Sequence, residues 1–592
     1  MSRASMGRTT NDRILGVLLA GLGILAVLWV RCVWLQVVGR HRYAALGAAQ
    51  HEAAQTLKAT RGAITDRAGQ PLAISLSVPS IFANARRVKA KRDVAIRLAR
   101  AIGRDARAIQ RRLERNRAFV WVARHVDPGL VPSLSSVQGE GVGIIEEPTR
   151  WYPHGRLASH VVGFVDIDER GLEGLELAFN GALRGQDGWR STLRDAKGHV
   201  LIGPWTTQVE PIDGYDLVLT LDSVVQAAAE ETLEWGVKKY HAQGGSVVVL
   251  DPATGAIRAM ANAPSFDANA RGWVTASARR NRAVTDVFEP GSTFKIVTAA
   301  ALLEEGRIGL EDRIFCEDGS YPTVGRHVLH DHTAHGVLSF HDVIMFSSNI
   351  GTAKAAQRLT PEELYRYIRA FGFGRPTGIE VPGEVSGFVH PPARWSKLSP
   401  FIIPIGQEVA VTSIQLAVMA GVVANGGLRM RPHLIESIRT PEGRVVRSTR
   451  MVQPVRVISP QTAATLQTVL TSVVEAGTAK LTRLEGLSVA GKTGTAQKLE
   501  PNGRYSHSRF VASFVGFAPV PGPRVVIVVT VDEPRPLYFG GVVAAPMFKR
   551  LVERLASYWG FERVPVPLPN GLRPGPAAAG SGSVSGAAAR LP

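Results

Sequence analysis

The chain has 592 residues, 45% of them hydrophobic, which is enough for two or more domains with cores of their own. Its formal net charge is +19, but no nucleic-acid module accompanies that charge, so a nucleic-acid partner is set aside. Two cysteines, Cys32 and Cys316, cannot make a disulfide framework, and neither sits beside the histidine and asparagine of a thiol nucleophile.

Arg3, Arg8 and Arg13 precede Ile14–Val30, a stretch without charge, and the apolar run resumes after Arg31 at Cys32–Leu35. At about 1.5 Å per residue this predicts one membrane anchor over 14–38 behind a cytoplasmic tail, 1–13. Arg31, Arg40 and Arg42 on the far side blur the charge asymmetry. A cleaved signal peptide is the alternative, but the run is longer than a usual signal core and Arg31, not a cleavage site, follows it.

Residues 39–220 read as a mixed α and β pedestal with Gly- and Pro-rich turns and two short basic helices, rich in arginine from Arg86 to Arg117. That charge suits solvated helices, or an anionic membrane or cell-wall polymer. A strand over Tyr215–Asp222 leads into a helix from Ser223, and strands 246–250 and 256–260 flank a turn at Asp251–Gly255.

Three stretches then carry chemistry. Glu289-Pro290-Gly291 makes a turn and Ile296–Leu303 an apolar helix, so Ser292 falls at a helix N-terminus, where free N–H groups favour developing negative charge. Lys295 lies one turn along the same face, within reach of that hydroxyl. His327, His330, His332 and His335, with His341 behind them, tempt toward zinc; without a cysteine ligand or a helix to align them, they read as structural or surface histidines, and no metal or cofactor is expected. After a helix over 339–346 come Ser347 and Asn349, which a turn can aim inward. The strand Leu487–Ala496 puts Lys492 and Gly494 on one face and Thr493 and Thr495 on the other, with Gly494 letting a substrate backbone approach closely.

These parts equip a serine acyl-transferase. Ser292 attacks a carbonyl, a neutral Lys295 takes its proton, and Lys492 helps to keep Lys295 uncharged. Ser347 passes a proton to the leaving amine, and Asn349 orients Lys295 and bonds a substrate amide. Thr493, Gly494 and Thr495 bind substrate, and the N–H groups of Ser292 and Thr495 form the oxyanion hole. Tyr505, His507 and Arg509 line the cleft or a solvated loop. A hairpin over 510–517 and 525–531, a terminal helix over 545–559 and a disordered tail from 563 complete the chain. The class is α/β (α+β), an antiparallel sheet flanked by helices.

The ordered set Ser292-Thr293-Phe294-Lys295, Ser347-Ser348-Asn349 and Lys492-Thr493-Gly494-Thr495 resembles the class B penicillin-binding proteins, and among them the division-type, FtsI-like transpeptidases. Arg61–Gly69, Arg150–Gly155 and Gly171–Glu176 are similar to the signatures of that family's non-catalytic pedestal, and Asp251–Gly255 to the turn opening its catalytic domain. Asp331 matches an aspartate of the family's loop, and Gly406-Gln407-Glu408 resembles a family segment that packs near the site. The resemblance implies a penicillin-binding transpeptidase fold over 221–562, D,D-transpeptidation of stem peptides ending in D-Ala-D-Ala, and covalent inhibition by β-lactams. It also implies a single-pass inner (cytoplasmic) membrane location with the catalytic domain periplasmic or otherwise extracytoplasmic, and an FtsW-like membrane glycosyltransferase and other divisome proteins as partners. Glu311–Phe315 only faintly echoes the glycosyltransferase signature of bifunctional relatives, so no polymerase activity is expected. The alternatives are an elongation-type transpeptidase, a D,D-carboxypeptidase in which water replaces the acceptor amine, and a β-lactam sensor or divisome scaffold.

Overall fold

Helix α1, Ala4–Val33, runs into a wider π turn, Trp34–Val38. Its stretch Arg13–Val38 is long and apolar enough to cross a membrane, and the Arg31 guanidinium lies over the Trp34 ring at 4.8 Å. The computed structural model describes residues 4–43, 52–194, 200–201, 207–270, 274–325, 327–449, 453–500 and 502–562; the tail expected from 563 lies outside them.

The chain divides into two compact units at Leu219 and Thr220, with two exchanges that a linear reading does not contain: Arg156–Val161 belongs to the second unit and Ile435–Thr449 to the first. In the first unit, strands β1 (Ile64–Thr65) and β2 (Pro71–Ala83) precede two basic helices, α2 (Lys91–Ile102) and α3 (Ala106–Glu114). Strands β3 (Val120–Ala123), β4 (Val142–Trp151) and β5 (Asp216–Leu219) follow. β5 pairs with β1 in parallel and, on its other edge, antiparallel with Ile435–Arg439, which pairs in turn with Val445–Ser448. β2 carries both β3 and β4. The amphipathic α2 buries Val94, Leu98 and Ile102 beside Ile109 and Leu113 of α3, leaving their arginines to solvent. Asp105 caps α3 by accepting from the N–H groups of Arg107 and Ala108.

The expected signatures of this unit converge on one carboxylate. Glu176 is fully buried, and its two oxygens accept from Arg61 Nε at 2.7 Å and Arg150 Nε at 2.6 Å. Arg61 also donates to the Glu169 and Glu176 carbonyls and to Asn180 Oδ1, so its fork ties three chain segments together. Tyr152 points its hydroxyl at Glu176 from 3.4 Å; burial, and then that charge, raise it well above an ordinary phenol. Removing one member of such a buried group costs about 3–5 kcal/mol, because the others keep charges that nothing offsets. Glu176→Ala is therefore expected to lower the stability of this unit by about that much in chemical denaturation. A loss below about 1 kcal/mol would show that the arginines find other partners.

The second unit is built on a five-stranded antiparallel sheet in the order β7-β6-β10-β9-β8, where β6 is Gly244–Leu250, β7 Ile257–Ala263, β8 Ala490–Leu499, β9 Tyr505–Ala518 and β10 Val525–Asp532. The predicted hairpins are these strands, each somewhat longer than the apolar runs. Helix α4 (Ser223–Lys239) starts at its Asp222 cap. After β7 come α5 (Lys295–Glu304), α6 (Phe340–Met345), α7 (Asn349–Ala356), α8 (Pro361–Ala370) and the fully buried α9 (Ser413–Ala424). The last helix, α10, covers Gly540–Ala556.

Alternation along β6 sets the layers: a Cβ on Gly245 would meet Leu233 of α4, whereas Ser246 bonds Ser413 of α9 at 2.9 Å. Helix α10 begins five residues before its predicted start. Pro546 lies inside it and has no N–H for the Val542 carbonyl, and the Tyr240 hydroxyl supplies that donor at 2.8 Å.

Candidate active site

Gly291–Phe294 form a single 3-10 turn that feeds α5. Gly291 has φ +53°, and a Cβ there would stand 2.9 Å from the Thr495 carbonyl oxygen, so only glycine lets this turn lie against β8. The same closeness sets Ser292 beside Thr495. On the other side, Gly406 would drive a Cβ to 2.2 Å from the Gly291 carbonyl. The segment expected to pack near the site thus clamps its turn. Phe294 points away into the core against Phe373, ring centres 5.4 Å apart. Ser292 is half-buried, and among the described residues no hydrogen bond holds its hydroxyl.

Lys295, the first residue of α5, is wholly buried. Its Nζ donates to the Ser347 carbonyl at 2.6 Å, the Ser347 hydroxyl at 3.2 Å and Asn349 Oδ1 at 2.8 Å. Lys492 Nζ, reaching in from β8, donates to the same Ser347 hydroxyl at 2.8 Å. Two amines from distant parts of the chain therefore share one serine oxygen. Burial drives Lys295 down to about 7, with Asp331 and then Cys316 pulling weakly the other way. Lys492 is pushed well below an ordinary amine, by burial first and then by Lys295. Burial is the largest cause for both amines, and the repulsion between them, which is mutual, works in the same direction.

Ser347 owes its place to the end of α6. The Ser348 N–H bonds the Val343 carbonyl and the Ser347 N–H that of Ile344, a Schellman closure with serine at the left-handed position, φ +63°. A serine there is strained where glycine would be relaxed, a cost found where function sets the side chain. Asp331 organises the next helix. It accepts from the N–H groups of Asn349 and Ile350 and from the Ser348 hydroxyl, while Asn349 Nδ2 donates to the His330 carbonyl. Both faces of the Asn349 amide are thereby assigned.

On β8, alternation holds, with Lys492 turned toward Ser347. At Gly494 the space a Cβ would need is taken by the protein itself, with Ser513 Oγ at 2.3 Å and the Pro290 carbonyl and Thr293 methyl at 2.9 Å. On this side the glycine admits the nucleophile's own turn. The Thr493 and Thr495 hydroxyls are engaged as well, the first with Thr478 at 3.1 Å and the second accepting from the Gly540 N–H at 2.9 Å. Because Thr495 Oγ1 accepts in that contact, its hydroxyl proton remains available to a ligand.

Glu289, in sequence only a turn residue, accepts from the Glu408 N–H at 2.9 Å and the Tyr505 hydroxyl at 3.0 Å, and burial raises it above an ordinary carboxyl. Tyr505 thus braces the turn, His507 is exposed, and Arg509 pairs with Glu500. The histidines scatter: His327 meets Thr323, His332 the Phe539 ring, His335 the Phe346 ring, and His341 both Asp342 and Ser472.

A family model, the penicillin-binding protein transpeptidase domain, matches residues 245–553, and a second, the penicillin-binding protein dimerisation domain, matches 56–219. The chain is 34% identical over 550 residues to the probable peptidoglycan D,D-transpeptidase PenA of Neisseria meningitidis, covering 92% of each. It is 31% identical over 543 residues to the peptidoglycan D,D-transpeptidase FtsI of Escherichia coli, covering 90% of this chain and 89% of that one. Among solved structures, penicillin-binding protein 3 of Mycobacterium tuberculosis complexed with ampicillin superposes with a TM-score of 0.68 at 29% identity, covering 87% of this chain and 98% of that one.

Proposed function

The chain belongs to the class B penicillin-binding proteins, peptidoglycan D,D-transpeptidases, and from that premise we propose that it cross-links stem peptides through an acyl-enzyme on Ser292 during septal wall synthesis. The observation that carries the mechanism is the Ser347 hydroxyl held between the amines of Lys295 and Lys492. Lys295, able to be neutral near pH 7, takes the Ser292 proton as the oxygen attacks the D-Ala-D-Ala carbonyl. The N–H groups of Ser292 and Thr495 receive the oxyanion, a stabilisation worth about 3–4 kcal/mol in serine hydrolases. Ser347, in contact with both amines, hands its proton to the departing D-Ala and takes one back from the Lys295 ammonium, which returns to the neutral amine. Asn349 fixes Lys295 with its carbonyl oxygen. The acceptor amine then enters by the leaving group's path and the steps reverse, releasing the cross-link and restoring the Ser292 hydroxyl.

A β-lactam carbonyl meets the same nucleophile and leaves a stable acyl-serine. Because peptidoglycan lies outside the cytoplasm, α1 anchors the chain in the inner membrane with its N-terminus inside and both compact units outside. An FtsW-like glycosyltransferase and other divisome proteins are the partners that fit this assignment. The similarity to FtsI supports the septal role. Depletion in the native cell is expected to give filaments with unfinished septa; rounded cells would move the assignment to elongation.

A further inference from the structure

Five arginines, Arg366, Arg369, Arg375, Arg429 and Arg431, line a cavity of about 500 Å³ in the second unit that shares no residue with the candidate active site. No aspartate or glutamate is among its described lining residues. Arg366 is neutralised by Glu305 at 2.6 Å. The neighbouring carboxylate of Glu384 is occupied by the Thr377 hydroxyl and the N–H groups of Thr377 and Gly378, at 2.6–2.9 Å. The other four guanidiniums have no ion pair among the described residues.

Loop tethering accounts for part of this. Arg429 donates to the Ala370 carbonyl at 2.6 Å, Arg369 to Phe373 at 2.8 Å and Arg431 to Gly378 at 2.5 Å, so three arginines hold the segment after α8. It does not account for Arg375, which is exposed and whose side chain holds nothing among the described residues. Nor does it explain four like charges gathered without a counter-charge. Burial, and then the Arg375 charge, depress Arg429 below an ordinary guanidinium. An arriving anion would relieve that repulsion.

Guanidinium forks match phosphate oxygens in pairs, and four of them in one concavity call for an anion carrying several charges in a small volume. The cavity has the size of a small-ligand site. We propose that it binds a pyrophosphate or comparable phosphate-rich group, borne by a soluble molecule or by a lipid headgroup. This inference stands independently of the assigned reaction.

The test is calorimetric titration of inorganic pyrophosphate into the full chain, held in nanodiscs of neutral phosphatidylcholine at moderate salt. Saturable one-to-one binding is expected, weakened at least tenfold by Arg375→Glu and unchanged by Arg104→Glu, which alters net charge equally on an exposed helix-connecting residue of the first unit. Arg375 anchors nothing, so its variant should fold with the thermal stability of the parent. Absence of saturable binding, or equal weakening in both variants, would overturn the proposal. Repeating the titration with phosphatidylglycerol in the nanodisc assigns the source. Loss of pyrophosphate affinity in the parent, but not in the already weakened variant, identifies a lipid headgroup as the occupant, and unchanged affinity a soluble ligand; either result keeps the site.

Discussion

Ser292→Ala is expected to abolish covalent labelling by a fluorescent penicillin while leaving the folded chain as stable as the parent. The chemical half follows from the site: without the hydroxyl there is no oxygen to close the acyl bond, and the neighbouring Ser347 cannot replace it because both lysines already donate to its Oγ. The structural half follows from the environment. Ser292 is half-buried and its hydroxyl has no partner among the described residues, so its removal strands no buried group. A stability change within about 0.5 kcal/mol is expected. Gel fluorescence after incubation with the drug, with a thermal melt alongside, reads both. A label persisting in the variant, and mapped by peptide mass to another serine, would refute the nucleophile assignment.

The second large effect concerns protons. If neutral Lys295 is the base, the acylation rate rises about tenfold per pH unit below 7 and levels off above it, since burial places that amine at about 7. Lys295→Met should slow acylation by about 100- to 10,000-fold and erase the rising limb. Stopped-flow measurement of acylation by a chromogenic β-lactam across pH gives both readouts; a rate that stays flat from pH 5 to 8 in the parent would remove Lys295 as the base. Folding stability carries a matching signature. The native amine titrates far below its unfolded value of 10.5, so between about pH 7 and 10.5 the unfolded chain binds more protons than the folded one. Stability contributed by this site therefore rises with pH across that window, and the methionine variant should flatten the slope.

The catalytic groups were legible because each lies in a short stretch whose local form is strongly dictated: a turn into an apolar helix for Ser292 and Lys295, an alternating strand for Lys492. Their supports were not. Asp331 reads as one polar residue among histidines, and only the folded chain shows it holding two N–H groups of α7 and the Ser348 hydroxyl. The left-handed Ser347 is invisible to a search for helix ends, which looks for glycine. The start of α10 was hidden by Pro546, whose missing bond is repaired by a tyrosine some 300 positions away in sequence. In the first unit the signature residues Arg61, Arg150 and Glu176 could be picked out singly, yet nothing local says that they meet. At Gly494 the need for an absent side chain is legible, but the groups that fill its space, from Ser513, Pro290 and Thr293, show only in the fold.

The detour of Ile435–Thr449 bears on how the molecule emerges from the ribosome. β5 is finished at Leu219, but its outer edge waits for Ile435–Arg439, more than two hundred residues later in synthesis. Until then the nascent chain carries an open strand edge, the kind of surface that recruits neighbouring chains. A product ending before residue 435 therefore keeps β5 itself as the edge of the sheet, a place that Val445–Ser448 takes in the complete fold.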